Sequence, residues 1–323
     1  MKKYCRIFYG ALLTLALAPA HAAWPERPIT LVIPFPPGGG TDVIGRIIGK
    51  ELGDSLGVNV VVENKSGAGG NIGTRYVTGA KPDGYTLLMG TTAQTISAAL
   101  YKAPGYDLLT QLDAVVTINS GPMILFSRNS LEVSSVNDLI KLAKQNPEKI
   151  SYASAGYGTS SHMAAEVFTL ATGIKLLHVP FQGAAPAMSS VVAGQVDITF
   201  DMLSTAKPFV MDNKVKSIGM GGGERSPLMP ELKSLSEQNP ELLKSFNETA
   251  WNVLMVPKGT PVEIQQKIND KIKVILGDEK IKARLMDMGS VPFWKNVPDS
   301  GSFVADDVAK WKKVVEDANI ERM

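Results

Sequence analysis

From Trp24 onward the apolar positions follow two alternating rhythms. Short runs rich in branched residues at 29–33, 58–62, 85–89 and 114–118 predict strands. Between them, apolar residues return every three or four positions, as at Ile44, Ile47, Ile48, Leu52 and Leu56, which stacks them on one helix face. Thr41 or Asp42 is expected to cap that helix. A second helix is expected at 71–80, ended by Lys81-Pro82-Asp83-Gly84. The alternation then resumes with strands at 150–153, 176–181, 196–200 and 215–220, and with helices at 135–145, after Ser161, and at 184–193. Ser135 with Asp138 reads as a capping pair. A strand at 251–256, a helix capped by Thr260 with Pro261 at its first position, and a last helix at about 301–319 complete the chain. Strands apolar on both faces and separated by helices predict an α/β fold, with mostly parallel sheets flanked by helices.

At 323 residues a single core stops growing, so two domains are expected. Neither sheet completes in one continuous stretch, so the chain is expected to cross near Gly121 and return near Ala250. Lobe 1 then takes 23–122 and 248–323, and lobe 2 takes 123–247. Two crossings make a hinge, with the ends of both sheets facing a shared cleft.

Residues 1–22 read as a secretory signal peptide. Lys2, Lys3 and Arg6 precede an apolar run at 7–18, and Ala20-His21-Ala22 supplies the cleavage site, before Ala23. The run is shorter than the ~20 residues that span a bilayer. The single cysteine, Cys5, leaves with this segment, so the mature chain has no thiol or disulfide chemistry. The expected destination is the periplasm. Removing three cations takes the net charge from +2 to about −1, which argues against a nucleic-acid binder.

Both lobes open with the same device: a strand, a glycine-rich loop, and a helix whose first turn faces the loop. Ligands of open α/β sheets sit at the carboxyl ends of strands, where helix N-termini present free N–H groups and about half a positive charge. Gly38, Gly39, Gly40, Gly67, Gly69, Gly156 and Gly158 let backbone approach a ligand; Thr41, Thr91, Thr92, Ser154, Thr159, Ser160 and Ser161 add hydroxyls. The expected ligand is a small organic anion held by amides and hydroxyls, with no cationic side chain. Glycines that only make tight turns are the alternative.

Asp42 serves as a helix cap or a ligand contact, His162 as a cap, a surface residue or a ligand hydrogen bond. Asp201 suits a ligand amine, a bound water or a protonated carboxyl, or else an interlobe or turn hydrogen bond. Phe35, Tyr157, Phe181 and Gln182 would set the size and polarity of the cleft. No G-x-S-x-G, P-loop or properly spaced G-x-G-x-x-G occurs. Two mature histidines without cysteine make a transition-metal site improbable, and no cofactor is expected.

Several ordered motifs resemble the Bug family, the periplasmic receptors of tripartite tricarboxylate transporters. They are Trp24-Pro25-Glu26-Arg27-Pro28, Pro34-Phe35-Pro36-Pro37-Gly38-Gly39-Gly40-Thr41-Asp42 with Arg46, and Glu63-Asn64-Lys65-Ser66-Gly67-Ala68-Gly69-Gly70-Asn71. They continue in Pro82-Asp83-Gly84-Tyr85, His178-Val179-Pro180-Phe181-Gln182-Gly183, Gly194-Gln195-Val196-Asp197 and Pro257-Lys258-Gly259-Thr260-Pro261. The resemblance implies a two-lobed type II periplasmic binding fold that closes on a carboxylated solute and delivers it to membrane permease subunits. It adds Pro37, Ala68, Gly70, Ala93 and Gly183 to the expected contacts. Phe181 and Gln182 stand where this family usually has tyrosine and lysine, which removes a possible cation near the cleft. A monomeric, non-enzymatic receptor is the first expectation. A sensory module docking on a receptor kinase and an exported hydrolase or isomerase using His162 with Ser160 or Ser161 are the alternatives.

Overall fold

The computed structural model describes residues 24–223, 225–226, 228–317 and 320–323. The expected signal peptide lies outside the described residues. In chain order the first elements are β1 (Ile29–Ile33), α1 (Gly40–Leu56), β2 (Val60–Asn64), α2 (Asn71–Thr78), β3 (Thr86–Thr91), α3 (Thr92–Leu100), α4 (Leu108–Gln111) and β4 (Leu112–Pro122). Next come β5 (Ile124–Arg128), α5 (Val136–Gln145), β6 (Ser151–Ser154), α6 (Ser160–Thr172), β7 (Leu177–Pro180), α7 (Ala184–Val192), β8 (Ile198–Asp201), α8 (Leu203–Met211) and β9 (Val215–Met220). The chain finishes with α9 (Leu235–Gln238), α10 (Pro240–Leu243), β10 (Thr249–Pro257), α11 (Val262–Gly277), α12 (Glu279–Asp287), β11 (Val291–Pro292) and α13 (Val297–Asp317).

Two sheets result, in the orders β11-β4-β10-β3-β1-β2 and β7-β6-β8-β5-β9. Both are mixed. β10 runs against its neighbours β3 and β4, β11 runs against β4, and β5 runs against β8 and β9, while β1, β2 and β3, and likewise β6, β7 and β8, are parallel. The two reversed central strands have one cause. β4 leaves the first sheet at Pro122 and β5 starts in the second at Ile124. A chain that leaves one sheet at its carboxyl end enters the other from that same side, so its first strand must run away from the cleft. β10 repeats this on the return.

Each sheet is covered on both faces. Ile29, Leu31 and Ile33 pack with Ile44, Ile48, Ile268 and Ile272, while Val32, Leu88 and Val253 face Val304 and Val308 of α13. In the second sheet Tyr152, Ile198 and Phe200 meet Phe168 and Leu139, and Phe126 meets Met188 and Val191. Burying such side chains at ~25 cal/mol per Å² is the main stabilising term.

Local differences from the sequence reading have local causes. β4 runs four residues past Ile118, because pairing with β10 carries polar Asn119 and Ser120 along. Helix α1 is capped by Gly39 instead of Thr41 or Asp42. Pro261 precedes α11 as its cap, and the Thr260 hydroxyl instead donates to the Pro257 carbonyl at 2.7 Å. The expected pair at α5 is made, with the Asp138 N–H donating to Ser135 Oγ at 3.2 Å.

Candidate functional site

Between the carboxyl ends of the two sheets lies a cavity of about 720 Å³ of empty space, mouth included. Five helices begin in its wall. Gly39 and Gly40 bring α1, and Thr91, Thr92 and Ala93 bring α3, from the first sheet; Thr159 to Ser161 bring α6, Gly183 to Pro186 bring α7, and Met202 to Thr205 bring α8, from the second. Each first turn leaves N–H groups without intrahelical partners and carries about half a positive charge. No lysine, arginine or histidine is among the lining residues.

The lobe 1 wall is held by Asp42, which is 4% exposed. Its carboxylate accepts from the Gly38 N–H at 3.0 Å, Arg46 Nε at 3.1 Å and Asn64 Nδ2 at 2.8 Å, and Arg46 Nη2 stands 3.0 Å away. Burial opposes the charge, but these bonds and the Arg46 guanidinium prevail and hold the carboxyl below its usual range. Asn64 also donates to the Phe35 carbonyl at 2.9 Å. Asp42 thus fixes the glycine loop with oxygens already occupied.

Several expected hydroxyls are similarly engaged. Thr91 Oγ1 accepts from the Ala93 N–H at 3.1 Å and donates to Gln94 Oε1 at 3.1 Å, and the Thr91 N–H donates to the same Oε1 at 2.7 Å, closing a capping box. Thr92 Oγ1 accepts from the Trp251 N–H at 3.2 Å, Thr41 Oγ1 accepts from Asn252 Nδ2 at 3.3 Å, and Thr159 Oγ1 donates to the Gly156 carbonyl at 2.6 Å. Ser204 Oγ, in contrast, is buried without a partner. Sequence reasoning missed it, together with Thr205, Met202 and the β10 residues Ala250, Trp251 and Asn252. The β8 turn has no glycine, the signal that marked the other loops.

Asp201 lies at the end of β8, buried in the wall. Its Oδ1 accepts from the Met202 N–H at 2.7 Å, and burial pushes the carboxyl up to about 7 against that bond and one from the Thr205 hydroxyl.

Of the expected contacts, the structure brings Phe35, Pro37, Gly39, Gly40, Thr41, Asp42, Thr91, Thr92, Ala93, Thr159, Ser160, Ser161, Gly183 and Asp201 to the cavity. The others stand outside its lining. Gly38 gives its N–H to Asp42. The loop Gly67-Ala68-Gly69-Gly70 instead meets the opposite lobe: a Cβ on Gly69 would stand 2.5 Å from the Tyr157 carbonyl oxygen, and one on Gly158 would stand 2.9 Å from the Tyr101 ring. Tyr101 donates its hydroxyl to that same Tyr157 oxygen at 3.3 Å. Phe181 packs beneath the second sheet and Gln182 is exposed.

Ser154, Gly156 and His162 frame the lobe 2 loop from within. Ser154 Oγ is 2.6 Å from His178 Nε2 and accepts from the Gly156 N–H at 3.2 Å. His162 Nδ1 accepts from the Gly158 N–H at 3.3 Å and its ring stacks on His178 at 4.5 Å. Burial pushes both imidazoles down to about 4, with mutual repulsion adding for His178. Ser161 Oγ accepts from the Ala155 N–H at 2.9 Å. The hydrogen bond that a His162–Ser161 hydrolase would need is not among these.

Residues 44–320 match the family model described as tripartite tricarboxylate transporter family receptor. Among solved structures, Rpa4515 of R. palustris with adipate is 32% identical with a TM-score of 0.89, covering 93% of this chain and all of that one. The periplasmic binding protein BugD is 32% identical with a TM-score of 0.88 over the same shares. MatC of Rhodopseudomonas palustris with bound malate is 28% identical with a TM-score of 0.84, covering 90% of this chain and all of its own. Family and neighbours are binding proteins, and their two-sheet architecture is the one described above. The chain belongs to the tripartite tricarboxylate transporter receptor family and is a solute-binding receptor.

Proposed function

We propose that this receptor works in the periplasm as a monomer without catalytic activity, capturing a small mono- or dicarboxylate between two lobes and delivering it to the membrane permease subunits of its transporter. The lobes are 23–122 with 248–323, and 123–247. The observation that carries this reading is the convergence of five helix N-termini on a cavity whose lining includes no basic side chain. Oriented N–H groups there suit carboxylate oxygens, and in a water-poor cleft such bonds are stronger than in bulk solvent. Adipate and malate, carried by two of the similar structures, are the first compounds to try.

Thermal-shift screening of the mature protein against mono- and dicarboxylates, aromatic acids and amino acids tests it. A true ligand at a hundred times its Kd adds about 2.7 kcal/mol of stability. Stabilisation by carboxylates but not by their amides or by neutral sugars is expected. Preference for an uncharged or cationic solute would refute the anion cradle.

A further inference from the structure

Two carboxyls line the anion cavity, and only one of them is balanced. Asp42 has Arg46, Asn64 and the Gly38 amide. Asp201 has the Met202 N–H and the Thr205 hydroxyl, and no cation.

The charged and titratable groups on the surrounding elements are engaged elsewhere. On β5, Arg128 bonds Asp197 at the far end of β8. On β6 and α6, Tyr152 donates to Glu166, and His162 serves the Gly158 amide. His178 on β7 is bonded to Ser154. Lys207 on α8 pairs with Asp287, Arg46 on α1 with Asp42, and α7 carries no ionisable side chain.

An anionic solute entering this cavity would therefore meet a second, unneutralised carboxylate. Two such charges in one buried site do not both stay ionised; they share a proton, because that removes the repulsion and creates a strong O–H···O⁻ bond. The five helix ends attract negative charge here, and Asp201 and the ligand compete for it.

We propose that Asp201 and a ligand carboxylate hold one proton between them, so that solute capture is coupled to proton uptake and Asp201 selects for an acid over an amine at that end of the ligand. This rests on the carboxylate-receptor reading above. The proton comes from solvent; no bond other than O–H is made or broken.

Titration calorimetry with adipate and malate as probes, at pH 6 to 9 and in buffers of different ionisation enthalpy, counts the proton directly. Uptake approaching one proton is expected on the alkaline side, with affinity falling about tenfold per unit above pH 7. Asp201→Asn keeps a hydrogen-bond donor of the same shape, so its affinity should be flat over this range, with no proton uptake. A carboxyl-carbon NMR titration of the ligand-free wild type reads Asp201 whether or not the variant folds, and its midpoint is expected well above the usual carboxylate range.

Carboxylate binding without proton uptake, or a normal Asp201 titration, overturns the inference and leaves the receptor reading standing. So does an amino-bearing solute that binds more tightly than its deaminated analogue and is lost in Asp201→Asn. A screen in which no carboxylate binds overturns both.

Discussion

Gly69 offers a way to separate lobe closure from ligand contact, because it lies outside the cavity lining yet against the opposite lobe. Its backbone has φ 63° and ψ 21°, and a Cβ there would stand 2.5 Å from the Tyr157 carbonyl oxygen, where ordinary contact begins at 3.4 Å. In Gly69→Ala the obstacle is a backbone oxygen, which cannot rotate away, so the lobes must part by nearly an ångström. Overpacking of this kind costs about 1–3 kcal/mol, and it applies only to the closed form. That converts to binding about 5- to 150-fold weaker. The left-handed backbone adds ~1–2 kcal/mol of instability to open and closed forms alike. Gly173→Ala isolates that second effect. Gly173 caps α6 with φ 66° and ψ 19° and has no neighbour within 4 Å of its virtual Cβ. Calorimetry should show Gly173→Ala binding like wild type at a lower melting temperature, and Gly69→Ala losing both stability and affinity. Small-angle scattering should show that ligand contracts wild type and Gly173→Ala more than Gly69→Ala. Unchanged affinity in Gly69→Ala would refute the closed interlobe contact.

Three further outcomes are expected. Asp42→Asn breaks the clamp on the first glycine loop and should cost about 1.5–3 kcal/mol in denaturant unfolding, the range for hydrogen bonds to a charged group. Because the Asp42 pKa is depressed in the fold, its contribution is present above its unfolded value of 3.8 and is lost as pH falls through the folded one, so the variant's acid limb should be shallower. His162 and His178 also lie below their unfolded value of 6.5, near 4. Between those values the unfolded chain binds more protons, so thermal stability should fall from pH 6.5 toward 4, by an amount that His178→Gln reduces; a pH-independent melting temperature over that window would contradict their buried, neutral state. Lys207 Nζ pairs with Asp287 Oδ1 at 2.6 Å across the lobes, with Asp287 81% exposed. At ~0–1 kcal/mol for an exposed pair, Lys207→Ala should weaken binding no more than about fivefold, and high salt should erase the difference.

The strand–glycine–helix units were legible because their signals are local. Gly38 at φ 89° and Gly183 at φ 132° adopt backbone that other residues rarely take, and the Ile44 to Leu52 stripe needs no knowledge of its partner. Strand direction was not legible, since an apolar run reads alike either way and β5 and β10 take theirs from where the chain crosses. Hydroxyl roles were hidden for a similar reason. Thr91 and Thr159 have the chemistry of ligand donors, but capping and loop bonds take it up, and Thr92 accepts from the Trp251 N–H while keeping its own proton, whereas Ser204 acquires its position only when α8 meets Gly40. The Gly67–Gly70 loop was recognisable as special, and what it touches depends on the opposite lobe.

The same loops that carry the helix ends also make the lobes touch. A virtual Cβ on Gly40 lies 2.5 Å from Ser204 Oγ, one on Gly39 lies 3.9 Å from the Ala184 Cβ, and one on Gly183 lies 3.1 Å from the Pro36 ring. Closing therefore brings positive helix ends of one lobe toward positive ends of the other, α1 and α3 against α6, α7 and α8. With Asp201 protonated and no anion between them, these ends repel across the gap. Rim contacts act against that repulsion: Lys207 with Asp287, and the apolar cluster of Ile96 and Leu100 with Met163 and Trp311. An anion between the helix ends turns the central repulsion into attraction. Under the proposed closure, binding and closing form a single equilibrium, and a residue such as Gly69 would govern affinity from outside the cavity wall.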